Sequence, residues 1–399
     1  MQSFNPRKFT NKQVKELKKL VGKERALIAV SGGVDSTTSA VLTYKAIGKN
    51  LLCVMLDDAF MREGEPQRIA QLVSQPPINL PIKILDVQER FLTALKGLLD
   101  AEEKRKAFRE AFYKVLGEAA QKEGCKILVQ GTIKADIMET TGGVKTQHNV
   151  LEQMGINTVE RYGFKVVEPL VALYKWQVRM VAHHLGVPAE MAERQPFPGP
   201  GLSVRVVGEI KRDKLDSEKK ATTIVEENFE KHHPSQYFAA ILDNKTVSYP
   251  RNTHIQEVAA RLLNVPSRHL YVKVFEAKAT GVKEGKRKYG GIAALKAQTA
   301  NSNFHNPPLS SLFALQAKIV TEDPFFTRIV YAIKEKASEQ SYAIVLRAIQ
   351  TRDFLTAKVS EIPWTTLNET ADKVMKACPN VSAVYYDVTP KPPATVEME

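Results

Sequence analysis

The sequence has little with which to staple or anchor itself. Its three cysteines, Cys53, Cys125 and Cys378, stand far apart with no CxxC spacing. That excludes a disulfide framework and a cysteine-based zinc site, and it suits a reducing cytoplasm. No stretch reaches the ~18 apolar residues of a membrane span. The opening MQSFNPRKFTNKQVKELKKL is polar with a helical pattern and lacks the apolar centre of a signal peptide. A cytoplasmic protein without a membrane partner is therefore expected. Also missing is GxxxxGK[ST], the commonest phosphate-binding loop.

What is present is ample for packed cores: 43% of the 399 residues are hydrophobic and 25% are charged. That length predicts two or three domains. The formal charge of +13 fits either nucleic acid or an enzyme that gathers several phosphates.

Residues 1–208 alternate strand-like and helix-like segments. Strands are expected at 26–30, 51–56, 82–86 and 127–131, and helices at 36–47, 66–72, 91–99 and 102–123. This rhythm predicts an α/β domain with a parallel sheet covered by helices. QPFPGPGLSVRVVGE, rich in proline and glycine, reads as an ordered loop leaving that domain. Residues 209–399 predict a smaller α+β domain with a largely antiparallel sheet. It opens with a charged helix at 213–231, followed by strands at 270–277, 291–297, 343–349 and 381–388 and a loop at 300–312.

The first strand runs into SGGVDS and then a helix. A strand–loop–helix junction presents free N–H groups and the positive end of a helix dipole. Gly32 and Gly33 let the backbone curl closely round a ligand, and Ser31 and Ser36 add hydroxyls. Phosphate or pyrophosphate fits such a loop. Asp35 would repel phosphate unless it holds Mg²⁺ against the phosphate oxygens.

SGGVDS resembles the signature of the PP-loop ATP pyrophosphatases, whose sheet is of the adenine nucleotide alpha hydrolase kind. LDDAFMREGE, VQGTIKADIMET, VKTQHN, VVEPLVALYKWQVR, RQPFPGPGLSVR, RDFLTAKVSEIP and the tail VYYDVTPKPPATVEME follow in order. Together they resemble the ATP-pyrophosphatase and dimerisation parts of the GMP synthases across nearly the whole chain. The resemblance implies ATP and Mg²⁺ as cofactors, xanthosine 5′-phosphate and ammonia as substrates, and a homodimer. It places Ser31 to Thr37, with Val34 among them, and Gln130, Gly131 and Thr132 around the nucleotide. Asp136 and Glu139 join Asp35 at the metal, their three-residue spacing sharing a helical face. Lys145 is expected to reach the leaving pyrophosphate. Lys391, Thr395 and Glu397 are expected to bind the substrate nucleotide.

Three departures accompany the likeness. Gln147 precedes His148 where the family carries paired histidines, and Gln195 stands where it usually has histidine, so no general base is assigned. The SGGVDS loop begins about 30 residues into the chain, so no glutaminase domain is expected ahead of it. A separate glutamine amidotransferase subunit is expected to supply ammonia, and no nucleic-acid partner is expected. The alternative is a related PP-loop enzyme that adenylates a purine or RNA base for sulfur insertion, in which Cys53 or Cys125 would be essential. The pairs His183–His184 and His232–His233 lack accompanying ligands and read as ordinary surface or packing histidines. The run KEGKRKYGG at 283–291 reads as a basic turn, either a solvated loop or one that brings positive charge to the substrate phosphate across a dimer.

Overall fold

The computed structural model describes residues 4–141, 157–301, 303–336, 341–352 and 355–399, without the side chains of 138–141. The chain divides into two compact units, residues 1–94 with 106–199 and residues 95–105 with 200–399. The change at 199–200 falls inside the PFPGPG run. The second unit, expected to be the smaller, is the larger by residue count.

Up to residue 199 the helices are α1 (Pro6–Val21), α2 (Val34–Ile47), α3 (Glu65–Ser74), α4 (Gln88–Leu95), α5 (Ala101–Glu123), α6 (Lys134–Thr141), α7 (Thr158–Tyr162), α8 (Lys175–His184) and α9 (Ala189–Ala192). The strands are β1 (Arg25–Ala29), β2 (Leu51–Asp57), β3 (Ile82–Asp86), β4 (Cys125–Val129) and β5 (Lys165–Val167). They form one parallel sheet in the order β3-β2-β1-β4-β5. β1 is central, and Ala26, Leu27 and Ile28 are wholly buried. A strand covered on both faces needs an unbroken apolar run rather than alternation. Helix α2 is buried along most of its length, with Ala40 and Leu42 fully enclosed. The chain builds outward from β1 to β3, then returns to place β4 on the other side of β1. Ligands of open α/β sheets bind at such a reversal, beyond the carboxyl ends of the strands.

The second unit carries α10 (Arg212–Phe229), α11 (Asn252–Leu263), α12 (Leu309–Glu322) and α13 (Trp364–Ala377). Its strands are β6 (Gln236–Asp243), β7 (Thr246–Val247), β8 (Leu270–Lys283), β9 (Lys286–Ala297), β10 (Phe326–Glu335), β11 (Tyr342–Gln350), β12 (Lys358–Val359) and β13 (Val381–Asp387). The sheet runs β12-β11-β13-β10-β9-β8-β7, with β6 also paired to β11. Most pairings are antiparallel, but β9–β10 and β11–β13 are parallel. Each parallel pair is joined through a helix, α12 and α13 respectively, as parallel neighbours require. β13 is buried at every residue.

Its final segment is tied down from inside. Arg328 and Arg347 both pair with Asp387, at 2.7 and 3.0 Å, with all three side chains fully buried. Arg328 also donates to the carbonyl of Thr395 at 2.9 Å and to that of Glu397, and Arg347 donates to the Thr395 carbonyl at 3.1 Å. Pro392 and Pro393 sit in a turn closed by Ala394 N–H to the Pro390 carbonyl at 3.1 Å.

Candidate functional site

The SGGVDS segment leaves β1 and enters α2, as its composition predicts. Helix α2 starts at Val34, two residues earlier than expected, because the Gly33 carbonyl already accepts Thr37 N–H at 3.1 Å. Gly32 has φ +79°, a conformation open mainly to glycine, and a Cβ there would meet Ile69 of α3 at 3.0 Å. The Ser31 and Ser36 hydroxyls lie 3.0 Å apart, and Ser36 Oγ also accepts Ser31 N–H at 3.2 Å. The loop is thus closed on itself, with Ser31 and Gly33 at its exposed rim. Val34 and Thr37 turn their side chains into the core, so their backbone is what they bring to the loop.

The segment after β4 lies directly on this loop. A Cβ at Gly131 would come within 2.8 Å of Ser36 N and 2.9 Å of the Asp35 carbonyl carbon. Gln130 donates to the Tyr113 hydroxyl at 2.6 Å, while its buried Oε1 has no hydrogen-bond partner. Thr132 is fully buried. Asp136 Oδ2 accepts Ile133 N–H at 3.0 Å and so caps the start of α6.

Asp35 is the electrostatic centre. Burial pushes its carboxyl above the ordinary value, Lys175 and Arg179 of α8 pull it back in part, and Asp136 raises it further. Lys175 Nζ donates to Asp35 Oδ2 at 2.6 Å, whereas Oδ1 is buried without a partner. Two carboxylates in mutual repulsion, one with an orphaned oxygen, fit a hard divalent cation. Among the described residues no group of three or more His, Cys, Asp or Glu side chains forms a self-sufficient metal cage.

Sequence reasoning gives no role to the basic residues of ALYKWQVR. The signal is there: Lys175 and Arg179 are four apart at a helix start, on one face. A second contact joins two other motifs. Glu65 pairs with Arg62 at 3.4 Å and with Arg194, and Arg62 lies 4.3 Å from the centre of the Phe197 ring. LDDAFMREGE and RQPFPGPG therefore meet within the first unit. Lys145, Gln147 and His148 lie outside the described residues, as does the side chain of Glu139.

The tail residues belong to the second unit. Glu397 receives a two-pronged contact from Arg205, at 2.9 and 3.1 Å, and a third bond from Gln236 at 2.9 Å. Thr395 Oγ1 lies 3.0 Å from the Thr280 carbonyl and 3.0 Å from Arg328 Nη2. The Lys391 backbone pairs with Ala357 in both directions.

All three thiols are buried. Burial pushes Cys53 up to about 12 and raises Cys125 and Cys378 as well. A sulfur carrier needs an accessible thiolate, and these positions oppose one. Among the described residues no helix is long and apolar enough to cross a membrane.

Residues 6–188 match the PP-loop domain family, and residues 336–398 match the GMP synthase C terminal domain. One of the subunits of the glutamine-hydrolyzing GMP synthase of Sulfurisphaera tokodaii is 43% identical over 397 residues, covering 100% of both chains. Its counterpart in Saccharolobus solfataricus is 40% identical over 99% of this chain and 100% of its own. That of Methanopyrus kandleri is 37% identical over 99% of this chain and 100% of its own.

Proposed function

The chain belongs to the family of glutamine-hydrolyzing GMP synthase subunits, which are ligases, and we propose that it performs the ATP-dependent amination of xanthosine 5′-phosphate to GMP. The substrate's O2 attacks the α-phosphorus of ATP and the α–β bridge breaks, expelling pyrophosphate. Ammonia then attacks C2 of the adenylated base, and AMP leaves with the former O2. Adenylation turns a poor leaving oxygen into a good one. The protein's part is positioning and charge stabilisation.

Ser31, Gly32, Gly33 and Ser36 hold the β- and γ-phosphates with backbone and hydroxyl donors. Gln130, Gly131 and Thr132 border the nucleotide. Lys175 draws the phosphates toward Asp35, and Lys145 serves the leaving pyrophosphate. Asp35 and Asp136, with Glu139, hold Mg²⁺, which when bound neutralises phosphate-oxygen charge. Lys391, Thr395 and Glu397 present the substrate nucleotide, with Arg205 fixing the Glu397 carboxylate. A separate glutaminase subunit delivers ammonia, and the chain works as a cytoplasmic homodimer.

The observation that carries this reading is the packing of Gly131 on the Asp35–Ser36 backbone at the reversal of the sheet. The test is to incubate the protein with ATP, Mg²⁺, xanthosine 5′-phosphate and ammonium, and to follow both products chromatographically. Equal amounts of GMP and pyrophosphate are expected. Pyrophosphate without GMP would redirect the search to another nucleophile. Neither product from folded protein would overturn the substrate assignment.

A further inference from the structure

The second unit contains a cavity of about 380 Å³ that the proposed reaction does not use, lined by Asn244, Lys273, Lys296, Gln298, Phe304, Glu335, Lys336 and Ser382. It lies at the end of the sheet where β10 finishes and β13 begins. Glu335 pairs in register with Ala383, whereas Asp387, which clamps the tail, pairs with Val330 at the other end. The cavity is therefore separated from Thr395 and Glu397 by the length of β13.

Its charge is unbalanced. Glu335 is the single carboxylate among three lysines. Lys273 and Lys296 each donate to it, at 2.9 and 2.8 Å, and the Tyr385 hydroxyl donates at 2.6 Å. Burial raises the Glu335 carboxyl, but these three donors outweigh burial and hold it below its ordinary value, so it is ionised at neutral pH. One negative charge against three positive ones leaves two cationic equivalents. The carboxylate also fixes two flexible ammoniums in place, which lowers the entropy lost when an anion binds. Lys296 is steadied further by the Tyr271 ring, 4.7 Å away. Lys336, an exposed side chain at the mouth, donates to the Pro379 carbonyl at 3.2 Å. The remaining wall combines neutral hydrogen-bonding groups with one aromatic ring: Asn244 bonds Ser382 at 2.9 Å, and Phe304 supplies an apolar surface.

We propose that this cavity is a second anion site that takes the phosphate monoester of a small molecule, its phosphoryl group on Lys273, Lys296 and Lys336 and its organic part against Phe304. Its volume falls within the range of small-molecule pockets, roughly 300–1,000 Å³. A phosphoryl group matches clustered ammoniums, which act as point charges. The proposal is independent of the amination chemistry.

The test is isothermal titration of the full-length protein with ribose 5-phosphate and, separately, inorganic phosphate, in wild type and in a Lys296→Met/Lys336→Met variant. These lysines are partly buried and exposed respectively, and the variant is first shown to melt within a few degrees of wild type. At least tenfold weaker ribose 5-phosphate binding in the variant, with wild-type binding weakened by added salt, is the expected result. A Phe304→Ala variant separates recognition of the organic part: it should weaken ribose 5-phosphate more than inorganic phosphate. Equal affinity in wild type and the lysine variant overturns the proposal, whatever the amination assay shows.

Discussion

Gly131 lies against the amide of Ser36 so closely that a methyl group at its Cα would stand 2.8 Å from that nitrogen. Two loops from adjacent parallel strands are held together by the absence of a side chain. The neighbouring atoms are backbone at the start of α2, where the Ser31–Ser36 and Gly33–Thr37 hydrogen bonds already hold the loop. Gly131→Ala should therefore displace the Ser31–Ser36 loop. We expect at least a tenfold higher KM for ATP in pyrophosphate release, with a far smaller change in KM for ammonium. An unchanged KM for ATP would show that the contact does not shape the nucleotide site.

The Asp35–Lys175 pair makes a different prediction. Lys175 is half exposed, so the pair adds little to folding stability. Its value lies in balancing the Asp35 carboxyl and in drawing phosphate. Lys175→Gln should reduce pyrophosphate release about tenfold or more while the melting temperature moves by only a few degrees. Asp35→Asn should cut turnover more deeply and raise the Mg²⁺ concentration needed for half-maximal rate. An unchanged Mg²⁺ dependence in that variant would refute the assignment of that carboxylate.

Much of the first unit is legible in the sequence because its physics is local. β1, β2 and β3 announce themselves as apolar runs, and SGGVDS marks the turn from strand to helix. Lys175 is harder to find, since its meaning depends on a partner 140 residues away in sequence. The second unit is less legible. Residues 309–322 form α12; the loop expected at 300–312 overlaps its first turn, and no helix is expected from sequence over the rest. Without that helix the parallel pairing of β9 with β10 has no crossover. Arg328 and Arg347 also escape notice, because a charged residue inside an apolar strand suggests exposure until Asp387 and the tail carbonyls are seen around it.

Glu218 gives a pH dependence. Its side chain is fully buried in α10, accepts the Thr222 hydroxyl at 2.7 Å, and has a second oxygen without a partner. Burial raises its carboxyl from 4.5 to about 8, against the opposing pull of Arg205 and Thr222. Between those two values the folded chain keeps a proton that the unfolded chain has released. The unfolded state then binds fewer protons, so stability falls as pH rises through this window, by at most ~1.4 kcal/mol per pH unit. Glu218→Gln keeps the shape and removes the titration. The wild type should lose melting temperature relative to Glu218→Gln steadily from pH 5 to 8, and parallel curves would contradict the assignment.

The clamp on the tail yields the strongest stability prediction. Asp387 is the shared partner of Arg328 and Arg347, and none of the three side chains reaches solvent. Removing its charge leaves two buried guanidinium groups whose remaining hydrogen bonds go to carbonyl and hydroxyl oxygens. Breaking a buried pair in this way costs about 3–5 kcal/mol. Asp387→Asn, close in size, should lower stability by that order in urea unfolding of the full chain. Because the same arginines hold the carbonyls of Thr395 and Glu397, the surviving folded fraction should also show a raised KM for xanthosine 5′-phosphate. The KM for ATP should stay near wild type, since the Ser31–Ser36 loop and Gly131 belong to the other unit. Equal losses for both nucleotides would mean general loosening, and would remove the tail from substrate binding.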